Sequence, residues 1–306
     1  MPDLLLFARR ITNQGGENLQ LVKQIAIVAV VISVLIAVGV GLGLFVGHLT
    51  PANEVGRLIT VVSGIVFSLA LIFAASNFYV NYGFGYQGDI IRRVKTDKKV
   101  VALTFDDGPS DKFTPQILDI LKEHEVPATF FVVGKHAEDK PQLVQRTYEE
   151  GHEIANHTYS HINVPTTKPA ELSSELINTN VEIVTITGTY PRYARPPRGM
   201  YDARYRRLCE LMGMTVVLWS LSSQDWRKPM NPQRIQKRIQ DKVKPGDILL
   251  FHDSGSLVKS EGASRQNTVD ALAPIIESLQ ERGFDIVPLS ELLKEYPSSD
   301  KSTAEK

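Results

Sequence analysis

The chain has a single cysteine, Cys209, and no excess of either charge: 34 Lys and Arg stand against 34 Asp and Glu. One cysteine cannot close an internal disulfide, and without a CxxC pair no thiolate zinc site can form. Cys209 lies within Leu208–Leu211, where a lone thiol reads as a small core residue rather than a nucleophile. The cysteine count leaves the compartment open. The missing basic excess argues against nucleic-acid binding. No internal repeat is visible. The 306 residues, 43% of them hydrophobic, suffice for one α/β domain with chain left over.

What is left over is apolar. Residues 25–47 carry no charge, and a bilayer core needs about 20 apolar residues in a helix. The run is too long for the apolar core of a cleavable signal, which spans roughly 7–15 residues. A second run, Leu58–Val80, has Thr60, Ser63, Ser68 and Asn77 among its few hydrogen-bonding side chains. The sequence therefore predicts two transmembrane helices, 25–47 and 58–80, after a tail of residues 1–24. Pro51, Asn53 and Gly56 suit a tight hairpin between them, and Gly39, Gly41, Gly43 and Gly47 permit close helix packing. Orientation is contested. Arg9, Arg10 and Lys23 precede the first span, and Arg92, Arg93 and Lys95 follow the second, against Arg57 alone between them. The positive-inside rule puts both ends in the cytoplasm.

Beyond a juxtamembrane linker, 81–97, the pattern changes to short apolar runs alternating with amphipathic stretches. The runs are Val100–Phe105, Ala128–Val133, Glu153–Ala155, Tyr193–Arg195, Thr215–Trp219, Asp247–Phe251 and Asp285–Pro288. They read as buried parallel strands. Helices are predicted between them, among them Pro115–His124 and Thr268–Arg282, the latter closed by Gly283. Seven strand–helix units over 98–295 argue for an α/β barrel or near-barrel. The end, 296–306, reads as a polar tail.

Barrel enzymes place their chemistry at the C-terminal ends of strands. Here Asp106 and Asp107 end the first predicted strand, and His157 and His161 follow the third. Arg195 ends the fourth, Asp225 and Trp226 follow the fifth, and His252 and Asp253 end the sixth. Adjacent carboxylates repel, so Asp106–Asp107 needs a cation or a base nearby, unless it is only a solvated turn. His157 and His161 are four apart, and on a helical turn both imidazoles reach one ion. Two His and one carboxylate make a catalytic zinc set with a position left for water. His152, at the opposite strand end, reads as structural. Arg195-Pro196-Pro197-Arg198-Gly199 is a rigid turn that can fix an arginine against a carboxylate. His252, at the end of an apolar strand, is either a satisfied core histidine or a proton donor.

Five segments together resemble the polysaccharide deacetylases, the NodB-homology group in family 4 of the carbohydrate esterases. They are Thr104-Phe105-Asp106-Asp107-Gly108-Pro109, His157-Thr158-Tyr159-Ser160-His161, Arg195-Pro196-Pro197-Arg198-Gly199, Asp225-Trp226 and Leu249-Leu250-Phe251-His252. The resemblance covers about 98–295 and implies a distorted (β/α)7 TIM-like barrel with a divalent metal, zinc or another such as cobalt. It implies Asp107, His157 and His161 as ligands, Asp106 as general base and His252 as general acid. Arg195 would orient Asp106, Asp225 would tune His252, and Trp226 and Leu250 would wall the acetyl pocket. Where the family often has an aromatic residue this chain has Arg198, and where it often has Asp this chain has Ser222. Both departures resemble the branch acting on muramic acid in peptidoglycan, with Arg198 meeting a substrate carboxylate. The implied activity is removal of acetyl groups from a polysaccharide, peptidoglycan above all, by a membrane-anchored enzyme with an external catalytic domain. A deacetylase or deformylase of lipid-linked or chitin-type sugars and, outside enzymes, a glycan-binding pseudoenzyme are the alternatives.

Overall fold

The structure, a computed structural model, describes residues 53–82, 90–255 and 264–295, with Gly41, Phe45 and His48 as isolated helical positions. It divides into two compact units, Met1–Phe78 and Tyr79–Lys306.

Helix α1, Glu54–Tyr82, begins where the Asn53 side chain accepts the Gly56 N–H at 2.9 Å, satisfying a donor left open at a helix start. Among the described residues it is the one helix long and apolar enough to cross a membrane. Leu58, Val61, Ile65 and Leu69 are all exposed. Its hydroxyls turn back on its own backbone: Thr60 donates to Gly56 O, Ser63 to Thr60 O and Ser68 to Gly64 O. The first predicted span, 25–47, lies outside the described residues except for Gly41 and Phe45.

The second unit is built on parallel strands: β1 (Val100–Asp106), β2 (Thr129–Val132), β3 (Glu153–Asn156), β4 (Tyr193–Ala194), β5 (Thr215–Val216), β6 (Leu221–Ser222), β7 (Ile248–His252) and β8 (Asp285–Ile286). Seven run in the order β5-β4-β3-β2-β1-β7-β6, a curled half-barrel, and β8 pairs with the start of β1. Helices α2 (Thr114–Glu123), α3 (Gly134–Asp139), α4 (Pro141–Glu149), α5 (Pro169–Thr187), α6 (Ala203–Leu211), α7 (Pro232–Lys242), α8 (Gln266–Glu281) and α9 (Leu289–Leu292) connect the strands.

Alternation along β1 decides what faces where. Val101, Leu103 and Phe105 join a core with Ile117 and Leu121 of α2, Ile235 of α7 and Ile275 of α8. Ala102 joins a second core with Phe131, Trp219 and Leu250. Thr104 and Asp106 share that second face by the two-residue period of a strand.

The predicted fifth strand is in fact two. β5 ends at Val216, and β6, which periodicity did not separate, pairs with β7 instead. Among the described residues β5 and β6 do not pair, so the barrel is open there. Ile91–Val94, within the predicted linker, lies along the seam. Ile91 bridges Val217 in parallel, Arg93 bridges Asp247 antiparallel, and the Val94 N–H donates to Gly246 O at 2.9 Å. Gly246 permits this approach, since a Cβ there would fall 1.9 Å from Val94 O. Ile90 and Val94 are buried in the second core.

Candidate active site

Asp106 ends β1 directly beside His252 of β7, its ladder partner. Fully buried Arg195 reaches Asp106 from the end of β4, its Nη1 donating to Oδ1 at 2.6 Å. The same Nη1 donates to Thr104 Oγ1, Nε to Val217 O and Nη2 to Leu218 O. Its guanidinium lies 3.9 Å from the centre of the Phe131 ring. Burial lowers the Arg195 pKa and the neighbouring Asp106 carboxylate works against that. The guanidinium is thus fixed on every side, and so is the Asp106 oxygen it holds.

Asp107 follows in a left-handed conformation, φ 79°, uncommon for a residue with a side chain. Its carbonyl accepts from His136 Nδ1 of α3 at 2.7 Å, a partner invisible in the sequence pattern. Its carboxylate meets both histidines, Oδ1 lying 3.4 Å from His157 Nε2 and 3.1 Å from His161 Nε2. Burial acts to raise the Asp107 pKa, but the hydrogen bonds from His157 and His161 prevail and hold it well below the carboxylate range.

The two histidines do not sit on a helical turn as their spacing predicted. They occupy an irregular loop with Thr158 at φ 65° and His161 at φ 53°. Polar side chains hold this loop in place of a helical ladder. Asn156 Oδ1 accepts the Thr158 N–H at 2.8 Å. Glu175 of α5 accepts from Ser160 N and Oγ, both at 2.7 Å. His157 Nδ1 donates to Arg195 O at 2.8 Å, which orients the ring so that Nε2 is the nitrogen turned to Asp107. One donor atom each from Asp107, His157 and His161 lies within 4.8 Å of the others, and all three residues are buried. A carboxylate and two imidazoles, His157 held through its Nδ1 and His161 by the clamped loop that carries it, form a set that can hold a divalent ion.

His252 donates from Nδ1 to Asp225 Oδ1 at 2.8 Å. Asp225 Oδ2 accepts from His252 N and from Thr268 Oγ1 of α8, each at 2.8 Å. Burial disfavours the His252 imidazolium, yet Asp225 outweighs it and the pKa rises; Asp225 itself is lowered against burial by His252. Nε2 of His252 remains for the cavity.

These groups open on one cavity. Asp106, Asp107, His157, His161 and His252 form its floor side, and Arg198, Trp226 and Leu250 line it as well. Arg195 and Asp225 stand behind it. Sequence reasoning missed Trp219 and Arg265, both lining the cavity, and the supporting groups His136, Glu175 and Thr268.

Comparison with known proteins decides the kinship. The polysaccharide deacetylase family model matches residues 93–217. A chitooligosaccharide deacetylase of Bradyrhizobium sp. (strain ANU 289) is 38% identical over 197 residues, 63% of this chain and 90% of that protein. The chain belongs to the polysaccharide deacetylase family. As such a deacetylase it is a hydrolase of carbon–nitrogen bonds. A peptidoglycan N-acetylmuramic acid deacetylase, PdaA of Bacillus subtilis (strain 168), is 35% identical over 205 residues, 65% of this chain and 73% of that protein. A family pseudoenzyme of Bacillus anthracis, BA3943, shares the deacetylase fold with a TM-score of 0.61 and 29% identity, over 69% of this chain and 71% of that one.

Proposed function

We propose that this deacetylase is a divalent-metal-dependent, membrane-anchored enzyme that removes acetyl groups from N-acetylated sugars of peptidoglycan. The observation that carries the reading is the convergence of Asp107, His157 and His161 beside Asp106 and His252. Asp107, His157 and His161 would hold a divalent ion, zinc by its fit to the donor set, and such an ion would supply Lewis acidity towards a water and an amide carbonyl. Asp106, held by Arg195, takes the proton of the attacking water. His252 returns a proton from Nε2 to the leaving amine, which departs poorly without one, and Asp225 keeps that imidazole oriented and charged. Trp226 and Leu250 present apolar surface to the acetyl methyl. Acetate release from peptidoglycan glycans should stop with a chelator and resume with zinc. A protein that binds glycans with or without the chelator and releases no acetate would be a pseudoenzyme, as its B. anthracis relative is named.

Arg198, exposed on the cavity wall, supports the muramic-type reading, because a guanidinium at the rim favours a carboxylated glycan. Arg198→Tyr should lower the preference for muramic-type over chitin-type oligomers; an unchanged preference removes this assignment.

The anchoring rests on α1, whose exposed apolar surface and internally bonded hydroxyls suit a bilayer. The catalytic unit belongs outside, where its glycan is. Arg93 supports this against the charge count, because it is ion-paired with buried Asp247 and so has a role in the fold. Protease added to intact cells should trim the catalytic unit.

A further inference from the structure

Arg265 stands just before α8 and lines the cavity with His252. It is only 4% exposed. Its Nε donates to Ser254 O at 2.7 Å, which fixes the plane of the guanidinium. Its two terminal nitrogens have no protein partner among the described residues. Arg195, the other buried guanidinium of the site, has its carboxylate in Asp106. Asp225 feels the Arg265 charge, but its oxygens accept from His252 N, His252 Nδ1 and Thr268 Oγ1 and not from Arg265. Guanidinium N–H groups that face a cavity with no acceptor among the described residues favour a ligand that supplies one, and the paired terminal N–H groups match the two oxygens of a carboxylate.

We propose that Arg265 forms a carboxylate-binding subsite that receives an acidic substituent on the sugar carbon next to the one bearing the acetamido group. The proposal rests on the deacetylase reading above. His252 is the proton carrier for the amine nitrogen, so the wall beside His252 faces the neighbouring ring substituent. In a muramic-type sugar that substituent is a lactyl ether ending in a carboxylate; in a chitin-type sugar it is a neutral hydroxyl. Arg198 is the exposed arginine of the same cavity.

The experiment compares acetate release by the zinc-loaded full chain from peptide-free muramic-type oligomers and from chitin-type oligomers of equal length. The wild type should favour the muramic type. In Arg265→Gln the ratio of the two kcat/KM values should fall about tenfold, chiefly through KM for the carboxylated glycan. Arg265→Lys, which keeps the charge but not the fork, should give an intermediate ratio and decides the matter if the Gln variant does not fold. An unchanged ratio, or an equal loss on both glycans, overturns the subsite and leaves the deacetylase intact. A wild type that releases acetate from neither glycan overturns the deacetylase reading, and the subsite falls with it.

Discussion

Asp106 and Asp107 are neighbours in sequence with opposite surroundings. Asp106 faces a guanidinium and is left one oxygen for the cavity; Asp107 faces two imidazoles. Asp106→Asn should therefore lower turnover by about a thousandfold while zinc affinity by calorimetry stays near wild type; a parallel loss of metal would mean that Asp106 is a ligand instead. His152 makes a prediction about stability. Its Nδ1 accepts the Ala128 N–H at 3.2 Å, and its Nε2 is buried without a partner. Burial pushes its pKa down from 6.5 to about 4, so protonation must wait for unfolding. Between those values the unfolded chain binds the extra proton, and stability declines as pH falls, by about 3 kcal/mol in all. His152→Gln keeps an acceptor but does not titrate. Its denaturation midpoint should vary less across that window, and an identical pH profile would clear His152 of the effect. Residue types and spacing were enough to mark Asp106, Asp107, His157, His161 and His252, because each follows a recognisable apolar run. Arg265 follows no strand. Only its position ahead of the periodic face of α8 hinted at it, and the side chain reaches the cavity through tertiary packing.

At the scale of elements, helix α5 does more than cover the sheet. Its Glu175 is the acceptor for two groups of Ser160, next to His161 in its left-handed conformation. Backbone held in such a region persists only when the surroundings over-determine it. Glu175→Ala should weaken zinc binding by about tenfold to a hundredfold, measured by calorimetry, and Glu175→Gln should recover part of it. Full affinity in the Ala variant would show that the loop holds itself. The HxxxH spacing pointed to a helix because side-chain periodicity carries no information about such clamps. The division of β5 from β6 was hidden for a related reason: Thr215–Trp219 and Leu221 are continuous in hydropathy, and only the partner strands differ.

For the whole molecule, the boundary of the catalytic unit is the matter to test. A domain beginning at residue 98 would keep every strand yet lose Ile90 and Val94, both buried, and the stitch across the open seam. Two such side chains stabilise the fold by about 3 kcal/mol, so the melting temperature should drop by roughly 5–10 °C relative to a domain beginning at residue 90. Equal melting would show the seam to be self-sufficient. Short strands and alternating helices made the α/β barrel legible in advance. The seam was not, because the stretch that fills it is too short and too charged to look like a strand.

Asp106 and His252 come from distant parts of the chain but are rungs of one ladder, about 4.8 Å apart by the spacing of adjacent strands. The span between the two proposed proton carriers is thus a lattice constant of the sheet. Loops around the mouth can lengthen or change sequence to suit another glycan without altering it. A single-residue slip of β7 would turn His252 to the opposite face and silence the chemistry with every side chain still present.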